Sequence, residues 1–258
     1  MSVMLSVVDD VWGVTQLHDV VYIVCGSSTI TTFNATTHRR LTDINVKDLT
    51  FPTDVAVCEQ TSHMYVADLE ESVWRMSSYG EDIKCWLPKS PSDTFKPTKL
   101  SVTSSRLLVT SWATRQLRQF DVAGKELRRV QLPGYMDPQH AVESPTKTFV
   151  VGHYNTELKQ WQVSEVDTEG QVLRQFSGSR LPSLGFIPHI AADSKGNIFV
   201  ADLVNRRILL LDAQLALRRV IVDEHQLNDK KPWRLCYKEQ SGQLLVGFDR
   251  GDVAVFDV

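Results

Sequence analysis

From Val11 onward the chain alternates short apolar runs with polar breaks, and none of the runs is long enough for a helix. The clearest set reads Tyr22-Ile-Val-Cys-Gly, Met64-Tyr-Val-Ala-Asp, Leu107-Leu-Val-Thr-Ser, Phe149-Val-Val-Gly-His, Ile198-Phe-Val-Ala-Asp and Leu244-Leu-Val-Gly-Phe. Rich in β-branched and aromatic residues and bounded by turn formers, these runs predict buried strands. Each follows a shorter strand opened by a proline: Pro52-Thr-Asp-Val-Ala-Val, Pro97-Thr-Lys-Leu-Ser-Val, Pro138-Gln-His-Ala-Val, Pro188-His-Ile-Ala-Ala and Pro232-Trp-Arg-Leu-Cys. Val11-Trp-Gly-Val-Thr is a sixth copy without the proline. Asp193-Ser-Lys-Gly-Asn and Gln240-Ser-Gly-Gln read as hairpin turns between the two strands, with a glycine available for positive φ.

The anchors recur at intervals of 41 to 50 residues, a period that marks a repeat architecture. A third strand is expected to end near Phe33, Met76, Phe120, Trp161, Leu211 or Phe256, followed by turns such as Ser78-Tyr-Gly-Glu, Val122-Ala-Gly-Lys and Thr168-Glu-Gly-Gln. A polar fourth strand (Leu127-Arg-Arg-Val, Leu173-Arg-Gln-Phe, Leu217-Arg-Arg-Val) closes each unit, its charges suiting a solvated edge. Four places after each anchor sits a residue no larger than valine: Thr15, Ala56, Ser101, Val142, Ala192 and Cys236. Strands that crowd toward one axis need small residues there. The expectation is an all-β, six-bladed β-propeller of four-stranded antiparallel blades. The last unit ends on its third strand, Val253-Ala-Val-Phe-Asp-Val, and Ser2 to Val8 are strand-like, so the N-terminal strand is expected to complete the last blade. Residues 1–258 then form a single domain without a linker.

Composition narrows the function classes. Of 258 residues, 42% are hydrophobic and 23% charged, which suits a packed core rather than disorder. The net charge of −3 argues against a surface that grips nucleic acid throughout, while leaving room for a local basic patch. No apolar run approaches the roughly 18 residues a bilayer span needs, and Met1 to Val8 lack the features of a signal peptide. Cys25, Cys58, Cys85 and Cys236 show no C-x-x-C spacing. They read as buried free thiols in a reducing, cytoplasmic setting.

The fifth unit, Pro188-His-Ile-Ala-Ala-Asp-Ser-Lys-Gly-Asn-Ile-Phe-Val-Ala-Asp-Leu-Val-Asn-Arg-Arg-Ile, resembles the NHL repeat: proline, small-apolar strand, D-x-x-G-N-I-Y-V-A-D, then N-x-R-I. The second unit matches its first half, and the others keep the spacing but lose most signature residues. The resemblance implies an NHL-type propeller like that at the C-terminus of tripartite-motif (TRIM) proteins. There it would be the substrate- or RNA-reading end, with ligase activity in a RING domain elsewhere. Neither a cysteine/histidine ligand set nor heptads for such neighbours occur in this chain. Fold alone does not decide function.

Loops joining the fourth strand to the next first strand, and the second strand to the third, open on one face. The first set is expected to display Trp12, Thr53, Lys99, Gln139, His140, His189, Trp233 and Arg234 there. The second set offers Glu70, Glu71, Trp112, Arg115, Tyr154, Asn155, Asn205, Arg206, Asp249 and Arg250. Trp112, Tyr154 and Trp233 are the candidate anchors, since large amphipathic rings in loops dominate recognition surfaces; their bland alternative is packing between blades. Asp202 and Arg207 match the repeat signature, so they read as a structural ion pair. His140, His153 and His189 come from neighbouring blades, but their spacing matches no metal motif. No metal, cofactor or catalytic residue is therefore expected, and nucleophile-elbow, zincin, P-loop and EF-hand patterns are absent. The leading reading is a monomeric, non-catalytic module that binds a protein or peptide on the loop face. The alternative is single-stranded RNA on the same face, through Lys99, Arg115, Arg206, Arg207, Arg234 and Arg250 interleaved with the rings. A propeller enzyme of the lactonase or lyase kind ranks third.

Overall fold

The structure is a computed structural model that describes residues 3–7, 9–69, 72–88, 92–176, 183–187 and 189–258. Six four-stranded antiparallel sheets follow one another along the chain. Their innermost strands are Gly13–Leu17, Pro52–Cys58, Lys99–Thr103, Met136–Glu143, Ile190–Ala192 and Pro232–Lys238. Each packs against the next and the last against the first, so the blades form a closed ring. The expected six-bladed propeller is the observed fold.

Closure is carried by the chain's beginning. Val3–Leu5 pairs antiparallel with Val253–Asp257, in register Val3 with Val255 and Leu5 with Val253. It supplies the fourth strand of blade six, as the pattern predicts; Ser2 and Val8, at the ends of that prediction, lie outside the described residues. Leu5 is then buried with Val14, Val21 and Ile23 of blade one and Leu245 and Val253 of blade six. Every other core cluster likewise sits between two neighbouring blades, as where Tyr22, Val24 and Ile30 meet Val55, Met64 and Val66. The second strands read as continuous apolar runs because both of their faces meet a neighbouring blade. The outer strands are largely solvated instead: in Glu126–Gln131 only Val130 is buried.

The small residues four places past each anchor all line a central cavity of about 500 Å³, as the steric argument requires. The hairpin at Asp193 forms as expected, with Gly196 at φ 84° and the Asp193 carboxylate accepting from the backbone N–H of Lys195 and Asn197. Three details differ from the sequence reading. Trp161 opens its strand, Gln160–Val166, instead of ending it. The segment before blade six holds a one-turn helix, Glu224–Leu227, capped by Asp223. The four cysteines are free, but only Cys58 is buried; Cys25 and Cys236 are half-buried and Cys85 is exposed. No described helix is long and apolar enough to cross a membrane.

Candidate functional site: an aromatic belt and a polar axis

The loops nominated from the sequence open on one face, and across it runs an unbroken chain of six rings. Phe51 meets Trp12 (centroids 5.4 Å apart), Trp12 meets Trp233 (6.0 Å), and Trp233 meets Phe186 (5.5 Å). Phe186 then meets Trp161 (4.8 Å), which meets Tyr154 (5.0 Å). Contacts are edge-on or tilted, the favourable geometry for ring quadrupoles. All six rings are partly exposed, so the belt is at once interblade packing and available surface. It spans blades two, one, six, five and four. Sequence reasoning found Trp12, Tyr154 and Trp233 but missed Phe51 and Phe186 and assigned Trp161 to a strand end. A signal was present: an aromatic residue lies within three positions of the anchor in every unit, as Trp12, Phe51, Phe95, Tyr135, Phe186 and Trp233.

The other nominated residues divide between surface and interior. Trp112 is 59% exposed. Arg115 and Arg206 reach the surface, each bound to a carboxylate, Asp137 and Asp229 respectively. Arg250 is exposed and rims a depression with Trp12, Phe51, Asp9 and Asp10. Glu70, Glu71 and Pro188 lie outside the described residues. Contrary to expectation, His140, His189, Arg234 and Asn155 are buried. Asn155 is a turn residue, its side-chain oxygen accepting from the backbone N–H of Glu157 and Leu158. His153 is fully buried against the Ser164 hydroxyl (2.8 Å). Asp202 and Arg207 form the anticipated structural pair at 2.8 Å, with Asp202 also accepting from Gly185 N and Asn205 Nδ2.

His140 and Arg234, together with Asp54, turn inward because the inner strands bulge, whereas His189 stands just before Ile190–Ala192, which pairs without a register shift. Register shifts fall between Pro52 and Asp54, Pro138 and His140, and Pro232 and Arg234. A bulge re-aims the following side chain, here toward the axis. The result is a polar plug under the belt. The Leu100 peptide holds two of its members: its N–H donates to Asp54 Oδ2 (2.9 Å), and its carbonyl lies 3.1 Å from His140 Nε2. His140 stacks on His189 at 3.7 Å. Lys99 Nζ donates to the Thr53 carbonyl, and Arg234 donates to the Trp12 and Trp233 carbonyls while lying over the Trp233 ring. These contacts staple blades two to three, three to four, four to five and six to one.

Burial sets the ionisation of the plug. It pushes His140 down to about 4 and His189 well below its usual range, the latter helped by His140 and Arg234. It brings Lys99 down to about 7, with Arg234 adding repulsion, and Arg234 to about 10, opposed by Asp54. At neutral pH both imidazoles are therefore neutral. The central cavity extends from these two histidines to the hairpins of the opposite face, where Glu59, Ser194 and Glu239 line it. The cavity and the belt thus belong to opposite ends of the axis.

No family model and no curated protein sequence matches the chain. Among solved structures, the WD40 β-propeller domain of Doa1 is similar in fold, with a TM-score of 0.67 at 14% identity over 98% of this chain and 95% of that one. At that identity the likeness shows a β-propeller and nothing finer.

Proposed function

We propose that the propeller is a non-catalytic recognition module that binds a protein or peptide across its aromatic belt. The observation that carries the reading is the belt itself: six contiguous rings, all partly exposed, on a face held by the ring of blades. Rings fixed in advance lose little conformational entropy on binding, and rigid aromatic side chains are the usual energetic anchors of interfaces. Trp112, Arg115, Arg206 and Arg250 supply the flanking contacts. The NHL-like residues of blade five, with Asp202 and Arg207 paired, support reading the chain as the substrate-reading part of a larger TRIM-like protein; four free thiols suit a reducing, cytoplasmic compartment.

The RNA alternative is weaker on the same surface. Of its six nominated cations, Arg115, Arg206 and Arg207 are paired with carboxylates, while Lys99 and Arg234 are spent on backbone carbonyls. Arg250 is left for phosphate. Peptides selected from a random display library against the intact chain should lose about tenfold or more in affinity with Trp112→Ala and Tyr154→Ala together. Selected peptides that bind the double variant as tightly as the parent would refute the proposal. Tight binding of a single-stranded RNA, weakening steeply with salt, would instead favour the alternative.

A further inference from the structure

We propose that Asp54, His140 and His189 form a binding site for one divalent transition-metal ion of the zinc type, at the inner end of the central cavity. One ligand atom from each lies within 4.8 Å of the others, and all three residues are buried. The Nδ1 atoms of both histidines are buried without a hydrogen-bond partner. An orphaned buried polar atom is costly, and few contacts satisfy an imidazole lone pair as well as a metal does.

The surroundings of the first two ligands match what metal sites need. Metal-bound histidine characteristically donates its other ring N–H to a carbonyl or carboxylate, and ligating carboxylates are themselves hydrogen-bonded. The Leu100 peptide does both. Its carbonyl faces His140 Nε2, which directs the lone pair to Nδ1, and its N–H fixes one Asp54 oxygen, leaving the other. His140 and His189 line the cavity, so a water or small ligand has room in the fourth position. Two nitrogens and one carboxylate oxygen with an open site suit zinc and its neighbours rather than calcium or magnesium. The histidine spacing considered in the sequence included His153, but that side chain is engaged with Ser164; Asp54, brought in by the bulge after Pro52, takes its place.

Two features set the behaviour of the site. The imidazoles lie stacked with planes 25° apart, so one must turn about its Cβ–Cγ bond for both lone pairs to meet one ion. Lys99 and Arg234 are close enough to repel a dication. Removing the Lys99 charge should therefore strengthen metal binding, whereas at an anion site it would weaken it.

Calorimetric titration of the intact chain with Zn²⁺ in a non-chelating buffer at neutral pH tests the proposal. The expected result is one ion per chain, with Co²⁺ giving the visible absorption of a low-coordinate site. His140→Ala and His189→Ala should each weaken binding by more than about tenfold, His153→Gln should leave it unchanged, and Lys99→Met should tighten it. Circular dichroism checks folding. Where an alanine variant does not fold, the near-isosteric Asp54→Asn carries the same expectation. Absence of saturable binding, binding that survives Asp54→Asn and both histidine variants, or weaker binding by Lys99→Met would overturn the assignment.

Discussion

Asp202 is fully buried, and its two oxygens accept from Gly185 N, Asn205 Nδ2 and Arg207 Nε. It ties the incoming loop to the end of the second strand, and Asp68 does the same in blade two by accepting from the backbone N–H of Thr50 and Phe51. Removing Asp202 takes a buried acceptor from Gly185 N, Asn205 Nδ2 and Arg207 Nε at once. Asp202→Ala should therefore cost about 3–5 kcal/mol in chemical denaturation, far more than a surface substitution. At the axis, His140 and His189 are held neutral by burial. Their folded pKa values lie below that of free histidine, so the unfolded chain takes up more protons as pH falls. Stability should be fully present above pH ~6.5 and decline as pH drops toward 4. Thermal melts across that window should show a smaller decline for a chain carrying His140→Gln and His189→Gln. The Asp202–Arg207 pair was legible because both residues belong to a repeat signature. His140 and Arg234 were misplaced because a bulge after an anchor proline reverses which way the next side chains point, and no residue type announces it.

Strand and turn chemistry carried most of what could be read from the sequence. The turns after the third strands repeat one device: the carboxylates of Asp121, Asp167 and Asp212 each accept from the backbone N–H two and four residues on. The residue three places on takes positive φ, as Gly124, Gly170 and Leu215. At Gly170 the glycine is also sterically required, since a Cβ would sit 2.1 Å from the Gln131 carbonyl oxygen of the preceding blade. Gly170→Ala should lower stability by about 1–3 kcal/mol, measured by denaturant titration. The helix at Glu224–Leu227 went unread although its capping box, Asp223 with Gln226, is visible as a D-x-x-Q spacing. A single turn offers no apolar periodicity to notice. Trp161 was misjudged for a related reason: an aromatic at either end of a strand looks the same in one dimension, and here it belongs to the belt.

For the molecule as a whole, ring closure and the recognition face are one question, because the belt crosses the junction where blade six meets blade one. Val3–Leu5 covers the edge of Val253–Asp257, and Leu5 joins the cluster that cements the two blades. Deleting residues 1–7 exposes that edge and opens the core. The truncated chain should unfold at lower denaturant concentration and self-associate on gel filtration. The number of blades and the closing strand were legible from spacing and from the incomplete last unit. The belt was half legible, since adjacency of rings from five blades exists only once the ring closes.

The chain's six tryptophans provide the most direct test of the central claim. In two-dimensional spectra of the ¹⁵N-labelled protein, each indole N–H is a separate reporter. Adding a library-selected peptide should shift the signals of Trp12, Trp112, Trp161 and Trp233. Trp86, whose indole donates to the Val122 carbonyl at an outer strand, and Trp74 should stay in place. Shifts confined to Trp74 and Trp86, or a peptide-bound spectrum with the belt signals unmoved, would contradict recognition on this face.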